Sequence, residues 1–206
     1  KILVYGSLAK KYLLRYNVKK QDIFVGPNLS CIESKEVIET LLNKRFEKGI
    51  KKPTFGFVGR ICKQKGFIEF VKLANLFQDS GYKFQAFGKI DKGDEEVNKA
   101  LIGSNVEYMG SVESEQVANI LTNIDALIHP THFDPFSRIT SEALYCGTYV
   151  ICSFYDDAHI DLITPNIGVV IDGKNLLHIT NCVNHLISTN NWYNRSERLD
   201  RVNYFW

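Results

Sequence analysis

Short apolar runs alternate with longer amphipathic stretches along most of this chain. TFGFVG (54–59), KFQAFG (83–88), NVEYMG (105–110), DALIHP (125–130), YVICS (149–153) and IGVVID (167–172) read as strands. They are rich in β-formers and bounded by Gly, Pro, Asn or Asp. Helical periodicity fills the gaps. In 66–79, Phe67, Phe70, Val71, Ala74 and Phe77 share one face, and in 114–123 Val117, Ile120 and Leu121 do the same. Residues 136–146 and 174–189 complete the helical set. Strands apolar on both faces and separated by helices predict an α/β fold with a doubly wound, Rossmann-like parallel sheet and right-handed crossovers. Such sheets bind ligands at the carboxyl ends of their strands, near the switch in strand order. A site is therefore expected just after Gly59, Gly88, Gly110 and Pro130.

The first quarter is organised differently. KILVYGS, a helix-like KKYLLRY and DIFVGPN form one further strand–helix–strand unit within residues 1–33. A run of mixed charge follows, ESKEVIETLLNKRFEKGIKKP (33–53), and is expected to hold a boundary or linker. The main α/β unit then spans 54–206.

Composition narrows the function classes. At 206 residues and 45% hydrophobic, the chain can bury a substantial core and is not of the disordered type. A net charge of +2 gives no global field that would favour nucleic acid. The lysine groups (Lys10, Lys11, Lys19, Lys20; Lys48, Lys51, Lys52) stand among acidic residues and are expected to face water. Cys31, Cys62, Cys146, Cys152 and Cys182 are an odd set without a CxxC pair, as expected of free thiols in a reducing compartment. KILVYGS lacks the pattern of a signal peptide, and no apolar run approaches the roughly 20 residues of a membrane span. A cytoplasmic location is expected, with peripheral contact at the cytoplasmic face of a membrane left open.

Two loops carry candidate chemistry. GRICKQKG (59–66) follows a predicted strand and opens a predicted helix. Gly59 allows a sharp turn, and Arg60 and Lys65 stand near a helix N-terminus that already favours anions. A guanidinium fork plus a mobile ammonium suits a diphosphate and could neutralise a leaving phosphate. The alternative is a solvated basic loop. GxGxxG is absent there, so a nicotinamide-type dinucleotide site has no support.

The second loop lies in HPTHFDPFSRITSEALYCGTYVICS (129–153). Asp134 stands at the mouth of the helix and Glu142 about two turns in. A ligand lying over the helix start could touch both carboxylates and the free amides of Ser137, Arg138 and Ile139. Carboxylates accept hydrogen bonds from sugar hydroxyls, so a ligand with hydroxyls at both ends fits. Two plainer readings stay open: Asp134 as the helix cap with Pro135 at its first position, and Glu142 on the solvent face.

Together the two segments resemble the C-terminal domain of GT-B glycosyltransferases, in particular the retaining family 4. The family's strand-GR-x4-KG loop is matched by Gly59, Arg60, Lys65 and Gly66. Its E-x7-E motif and following EAxxxGxxV stretch are matched by Glu142, Ala143, Gly147 and Val150, with Asp134 at the place of the first acid. NVEYMGSV (105–112) and KFQAFG are similar to further family segments, so the resemblance covers about 54–172. It implies transfer of a hexose from a nucleotide diphosphate sugar, with retention. Arg60 and Lys65 would bind the diphosphate, Glu142 the ribose and Asp134 the transferred sugar. Backbone at Arg138 and Ile139 would meet phosphate and sugar; that near Val112, beside Gly110, would meet the base. Phe136 and Ser137 fall within the same donor-binding loop, and Asp134 and Glu142 are the catalytic candidates.

No cofactor or metal is implied, so His129, His132 and Asp134 are not expected to hold an ion. The implied partners are the nucleotide sugar and a glycan or lipid-linked acceptor bound by an N-terminal domain. Residues 1–33 resemble only the tail of that domain, and the chain stops at NYFW (203–206), so a fragment inactive alone is expected. Three positions depart from the family: Asp134 replaces Glu, Ser137 and Arg138 replace a Gly and an apolar residue, and Asp157–Ala158 replaces a Gly pair. A non-catalytic nucleotide-sugar-binding or scaffolding module and a GT-B-fold sugar-nucleotide epimerase are the alternatives.

Overall fold

The computed structural model describes residues 1–26, 28–29, 33–49, 52–189 and 193–206. Cys31 and Lys51 therefore lie outside the described residues. The elements run β1 (Ile2–Tyr5), α1 (Gly6–Arg15), β2 (Ile23–Gly26), α2 (Lys35–Glu47), β3 (Thr54–Val58), α3 (Phe67–Leu76), β4 (Lys83–Phe87) and α4 (Glu95–Leu101). Then come β5 (Glu107–Tyr108), α5 (Val117–Asn123), β6 (Ala126–His129), α6 (Arg138–Tyr145), β7 (Tyr149–Ser153), α7 (Ala158–Leu162), β8 (Gly168–Ile171), α8 (Leu176–Thr189) and α9 (Arg195–Phe205).

Six strands form one parallel sheet in the order β5-β4-β3-β6-β7-β8. Its central strands are covered on both faces, as their apolar runs predict. Alternate residues feed two cores. Phe55, Phe57, Ala126, Ile128, Tyr149 and Ile151 pack in one with residues of α3 and α8. Val58, Leu127, Val150 and Cys152 pack in the other with residues of α2, α5, α6 and α9. Aromatic rings concentrate in the first core, where Phe57 meets Phe67 and Phe70 at 5.2 and 5.5 Å between centroids.

The mixed-charge run expected as a linker contains the helix α2. Ile38 and Leu42, one helical turn apart, are fully buried, and the helix packs against α5 and α9. Most other positions of α2 are polar or exposed, Val37 among the exposed ones, which is why the run reads as linker-like. Helix α9 is polar too, yet Arg198 and Arg201 are its buried residues along with Val202. Arg198 is wholly buried and donates to the carbonyls of Leu121, Thr122 and Ile124 and to Thr148 Oγ1, at 2.8–3.1 Å. Its guanidinium thus caps the C-terminal end of α5 and lies 3.4 Å from the buried Asp125. Burial lowers the pKa of Arg198 to about 9, which leaves it charged at neutral pH.

The N-terminal strand–helix–strand unit forms as expected, with β1 and β2 paired in parallel. Its helix starts at Gly6, before the KKYLLRY run. The unit touches the rest of the molecule through Ser7, whose amide donates to Asp161 at 2.6 Å, and Asn28, whose side chain donates to the Phe136 carbonyl at 2.9 Å.

Strand β3 pairs with β4 from Thr54↔Lys83 to Val58↔Phe87, but with β6 only at Phe55↔Ala126 and Gly56↔Leu127. The chain departs in opposite directions from these two central strands. That is the switch point, and their carboxyl ends open a crevice there.

Candidate active site

A cavity of about 530 Å³ fills this crevice. Of the residues expected to form a site, Gly59, Arg60, Lys65, Val112, Asp134, Ser137, Arg138, Ile139 and Glu142 line it. Gly66, Gly110 and Phe136 do not. Gly66 serves the site from behind, because a Cβ there would stand 2.0 Å from the Pro130 carbonyl oxygen. The loop after β3 and the loop after β6 are therefore in main-chain contact. They are also stitched by hydrogen bonds from His132 N (2.9 Å) and Thr131 Oγ1 (3.3 Å) to the Gln64 carbonyl. Phe136 is buried, its ring packed where the backbone of Gly6 passes.

The basic loop and the acidic loop meet directly. Lys65 Nζ lies 2.6 Å from Asp134 Oδ2, and both side chains are mostly buried. Arg60 is more open, 3.7 Å from Asp91 on the loop after β4. Glu142 is 4% exposed, which rules out the solvent-face reading, and Arg138 approaches it at 3.5 Å one helical turn earlier. Asp134 is not the helix cap either. Ser137 takes that role, its Oγ accepting from the Thr140 amide at 3.4 Å, and α6 begins at Arg138 rather than Pro135.

The Ser137 amide is not free for a ligand, because it donates to Asp156 Oδ1 at 2.9 Å. Arg138 and Ile139 remain as first-turn amides without intrahelical acceptors. Asp156 itself was not anticipated. It is fully buried behind α6 and also accepts from Thr140 Oγ1 (2.8 Å) and the Ala158 amide (3.1 Å). Its sequence signal is an Asp three residues after the apolar run YVICS, next to Asp157 and Ala158. His129, Asn28, Lys89, Asp91 and Ser111 also line the cavity. The other histidine of the loop, His132, faces Glu69 at 3.2 Å.

Burial pushes the Asp134 carboxyl up, but the neighbouring His129 and Lys65 outweigh it and hold the pKa at about 2, against an ordinary 3.8. The folded value is depressed, so this stabilisation is complete above pH 4 and is lost as pH falls towards 2. The stability difference between the native chain and Asp134→Asn should shrink by about 2 kcal/mol over that window. Urea unfolding from pH 5 to pH 2 measures it; a difference that stays flat with pH would contradict the assignment.

The arrangement can hold a ligand that is anionic at one end and rich in hydroxyls at the other. Arg60 and Lys65 lie on the β3 side, and Asp134 and Glu142 lie across from them. Among the described residues, no three His, Cys, Asp or Glu side chains are grouped to hold a metal ion. Cys62, Cys146, Cys152 and Cys182 are free thiols, and burial raises Cys146 to about 12. Among the described residues, no helix is long and apolar enough to cross a membrane.

Comparison with known proteins agrees with this architecture. The chain is 27% identical over 106 residues to a 2-deoxystreptamine N-acetyl-D-glucosaminyltransferase of Streptomyces fradiae, covering 48% of this chain and 25% of that protein. It spans only 25–37% of the length of the curated relatives it matches. The C-terminal domain of LpcC, a group 1 glycosyl transferase of Francisella tularensis, superposes with a TM-score of 0.64 at 19% identity, over 84% of this chain and 97% of that one. Anabaena Alr3699/HepE, solved with UDP-glucose, superposes with a TM-score of 0.72 at 15% identity, over 98% of this chain and 58% of that one. At such identities the two structures speak for the fold alone, that of the C-terminal half of GT-B glycosyltransferases. The sequence profile of the family "Glycosyl transferases group 1" matches residues 40–202, and the chain belongs to that family.

Proposed function

We propose that this chain supplies the donor site of a glycosyltransferase that moves a hexose from a nucleotide diphosphate sugar to an acceptor with retention. The observation that carries the reading is the crevice at the switch point, where Arg60 and Lys65 face Asp134 and Glu142 across one cavity. Arg60, Lys65 and the first-turn amides of α6 take the diphosphate. Glu142 accepts from the ribose hydroxyls, Asp134 from the sugar, and the loop at Gly110 and Val112 meets the base. As the bond from the anomeric carbon to the diphosphate breaks, its electron pair leaves on phosphate oxygen, where the two cations stabilise the growing charge. The acceptor oxygen bonds to the same carbon and gives its proton to the departing phosphate. The acceptor, a glycan or lipid-linked sugar, is held by a second domain. That HepE was solved with UDP-glucose and that a relative transfers an N-acetylglucosaminyl group support this choice.

Calorimetric titration with UDP, GDP and their glucose and mannose conjugates tests the site. Arg60→Ala and Glu142→Ala should each weaken nucleotide-sugar binding about tenfold, the size of one hydrogen bond to a charged group. A folded chain that binds none of these, or binding that survives both substitutions, would sink the proposal.

A second reading, a nucleotide-sugar-binding module without catalysis, draws on the Lys65–Asp134 pair, which occupies both groups with each other. Neither transfer nor slow hydrolysis of a bound nucleotide sugar by the complete protein would favour it.

A further inference from the structure

Behind Asp134 stands a histidine that the donor-site reading leaves without a role. His129 is the last residue of β6, buried to 4% exposure, with its ring on the cavity wall. Its Nε2 lies 3.6 Å from Asp134 Oδ2 and 3.8 Å from Asp156 Oδ2. That nitrogen is shielded from solvent and makes no hydrogen bond among the described residues. A lone pair aimed at two carboxylate oxygens would be repelled, whereas an N–H is attracted to both, so the hydrogen belongs on Nε2.

The two carboxylates differ in what else holds them. Asp156 is anchored by the Ser137 and Ala158 amides, by Thr140 Oγ1 and by the Cys152 thiol at 3.5 Å. Asp134 has Lys65 as its short charged partner, and Lys65 reaches it from the side of the cavity assigned to phosphate. A diphosphate arriving there competes with Asp134 for the same ammonium. Once Lys65 turns to phosphate, Asp134 Oδ2 would lose its short charged partner, and only a long bond from the Phe136 amide to Oδ1, at 3.4 Å, would still hold this partly buried carboxylate.

We infer that His129 is a positioning residue: its Nε2–H, poised between the two carboxylates, closes on Asp134 when the donor draws Lys65 away, keeping that carboxylate aimed at the sugar. This rests on the donor-site reading. It predicts an effect confined to the sugar half of the ligand. The gap to be closed is a few tenths of an ångström, within ordinary side-chain motion.

Calorimetry on the native chain, His129→Leu, His129→Gln and Asp134→Asn, with UDP, UDP-glucose, GDP and GDP-mannose, tests it. His129→Leu should leave the affinity for the nucleoside diphosphate unchanged and weaken the matching nucleotide sugar about tenfold relative to it. Asp134→Asn should shift the same ratio in the same direction. His129→Gln, whose side-chain amide donates from a similar depth, should restore most of the ratio. A merely structural histidine would lower both affinities together and show no rescue by Gln. An unchanged ratio in His129→Leu, an equal loss of diphosphate binding, or failure of Gln to rescue overturns the inference. If His129→Leu does not fold, His129→Asn replaces it, since it offers no donor at the Nε2 position. Should the native chain bind none of the four ligands, the donor-site reading fails and this one falls with it. If the native chain binds and the ratio does not move, only the role of His129 is lost.

Discussion

Replacing Arg198 by Met should lower the unfolding free energy by about 3–5 kcal/mol, the scale for removing one partner of a buried charged network. The side chain is wholly enclosed and serves three main-chain carbonyls and Thr148 at once. Met fills much of the volume but leaves the end of α5 without donors in a region that water cannot reach. Asp125 would keep Arg45, 2.5 Å away, and the Thr54 amide at 2.8 Å, so the loss falls mainly on the carbonyls. Arg198→Lys should recover little, because one ammonium cannot reproduce the fork that spans Leu121, Thr122 and Ile124. For a chain of this length the melting temperature should fall by about 10 °C or more. A change of under 1 kcal/mol in urea unfolding would show that the Arg198 network is dispensable to the core.

Gly66→Ala is expected to damage stability and ligand binding together. Gly66 sits at φ +75°, and the left-handed conformation alone costs a residue with a Cβ about 1–2 kcal/mol. The added carbon would also stand 2.0 Å from the Pro130 carbonyl oxygen and 2.6 Å from its carbon, both main-chain atoms that cannot rotate aside. Relieving that overlap should cost a further 1–3 kcal/mol or so. The loops that must separate carry Arg60 and Lys65 on one side and Asp134 on the other. A shift of about 1 Å there can weaken a site a hundredfold. Urea unfolding and nucleotide-sugar titration read the two effects, and an Ala variant with native stability and affinity would refute the close approach as a structural need.

The sheet was legible because its strands are buried on both faces and so appear as continuous apolar runs. TFGFV, ALIH and YVICS leave little else to be read. Helices with thin apolar stripes were harder to see. Along α2 only Ile38 and Leu42 are buried, and α9 puts two arginines where a core residue is expected. No pattern of apolar spacing reports a buried guanidinium whose partners lie some 75 residues earlier. The motif glycine Gly147 shows the same limit, for the main chain of α9 passes so near that a Cβ would meet the Arg198 carbonyl oxygen at 2.4 Å.

In the site, strand ends and loop motifs located the cavity, because the position of a ligand crevice follows from topology. How the groups pair within it does not follow. Lys65 and Asp134 are 69 residues apart, and their contact depends on the seam between two loops. Nothing in the spacing of the chain marks Asp156, because its partners, two amides, the Thr140 hydroxyl and the Cys152 thiol, come together only in the folded crevice. Its effect on Ser137 removed one of the three amides expected to face a ligand.

The short ladder between β3 and β6 has a consequence for how the molecule assembles. Strands β3, β4 and β5 follow one another in sequence, as do β6, β7 and β8, and each trio is joined by local crossovers. Only two register pairs, Phe55↔Ala126 and Gly56↔Leu127, tie one trio to the other across the sheet. Contacts between segments so far apart in sequence form late, after local ones have reduced the entropy of closing the loop. The crevice, and with it every pairing between the 59–66 and 129–142 segments, would come into being at that last docking step. A ligand that spans the seam would then act chiefly on the rate of unfolding, holding shut a joint that folding closes last.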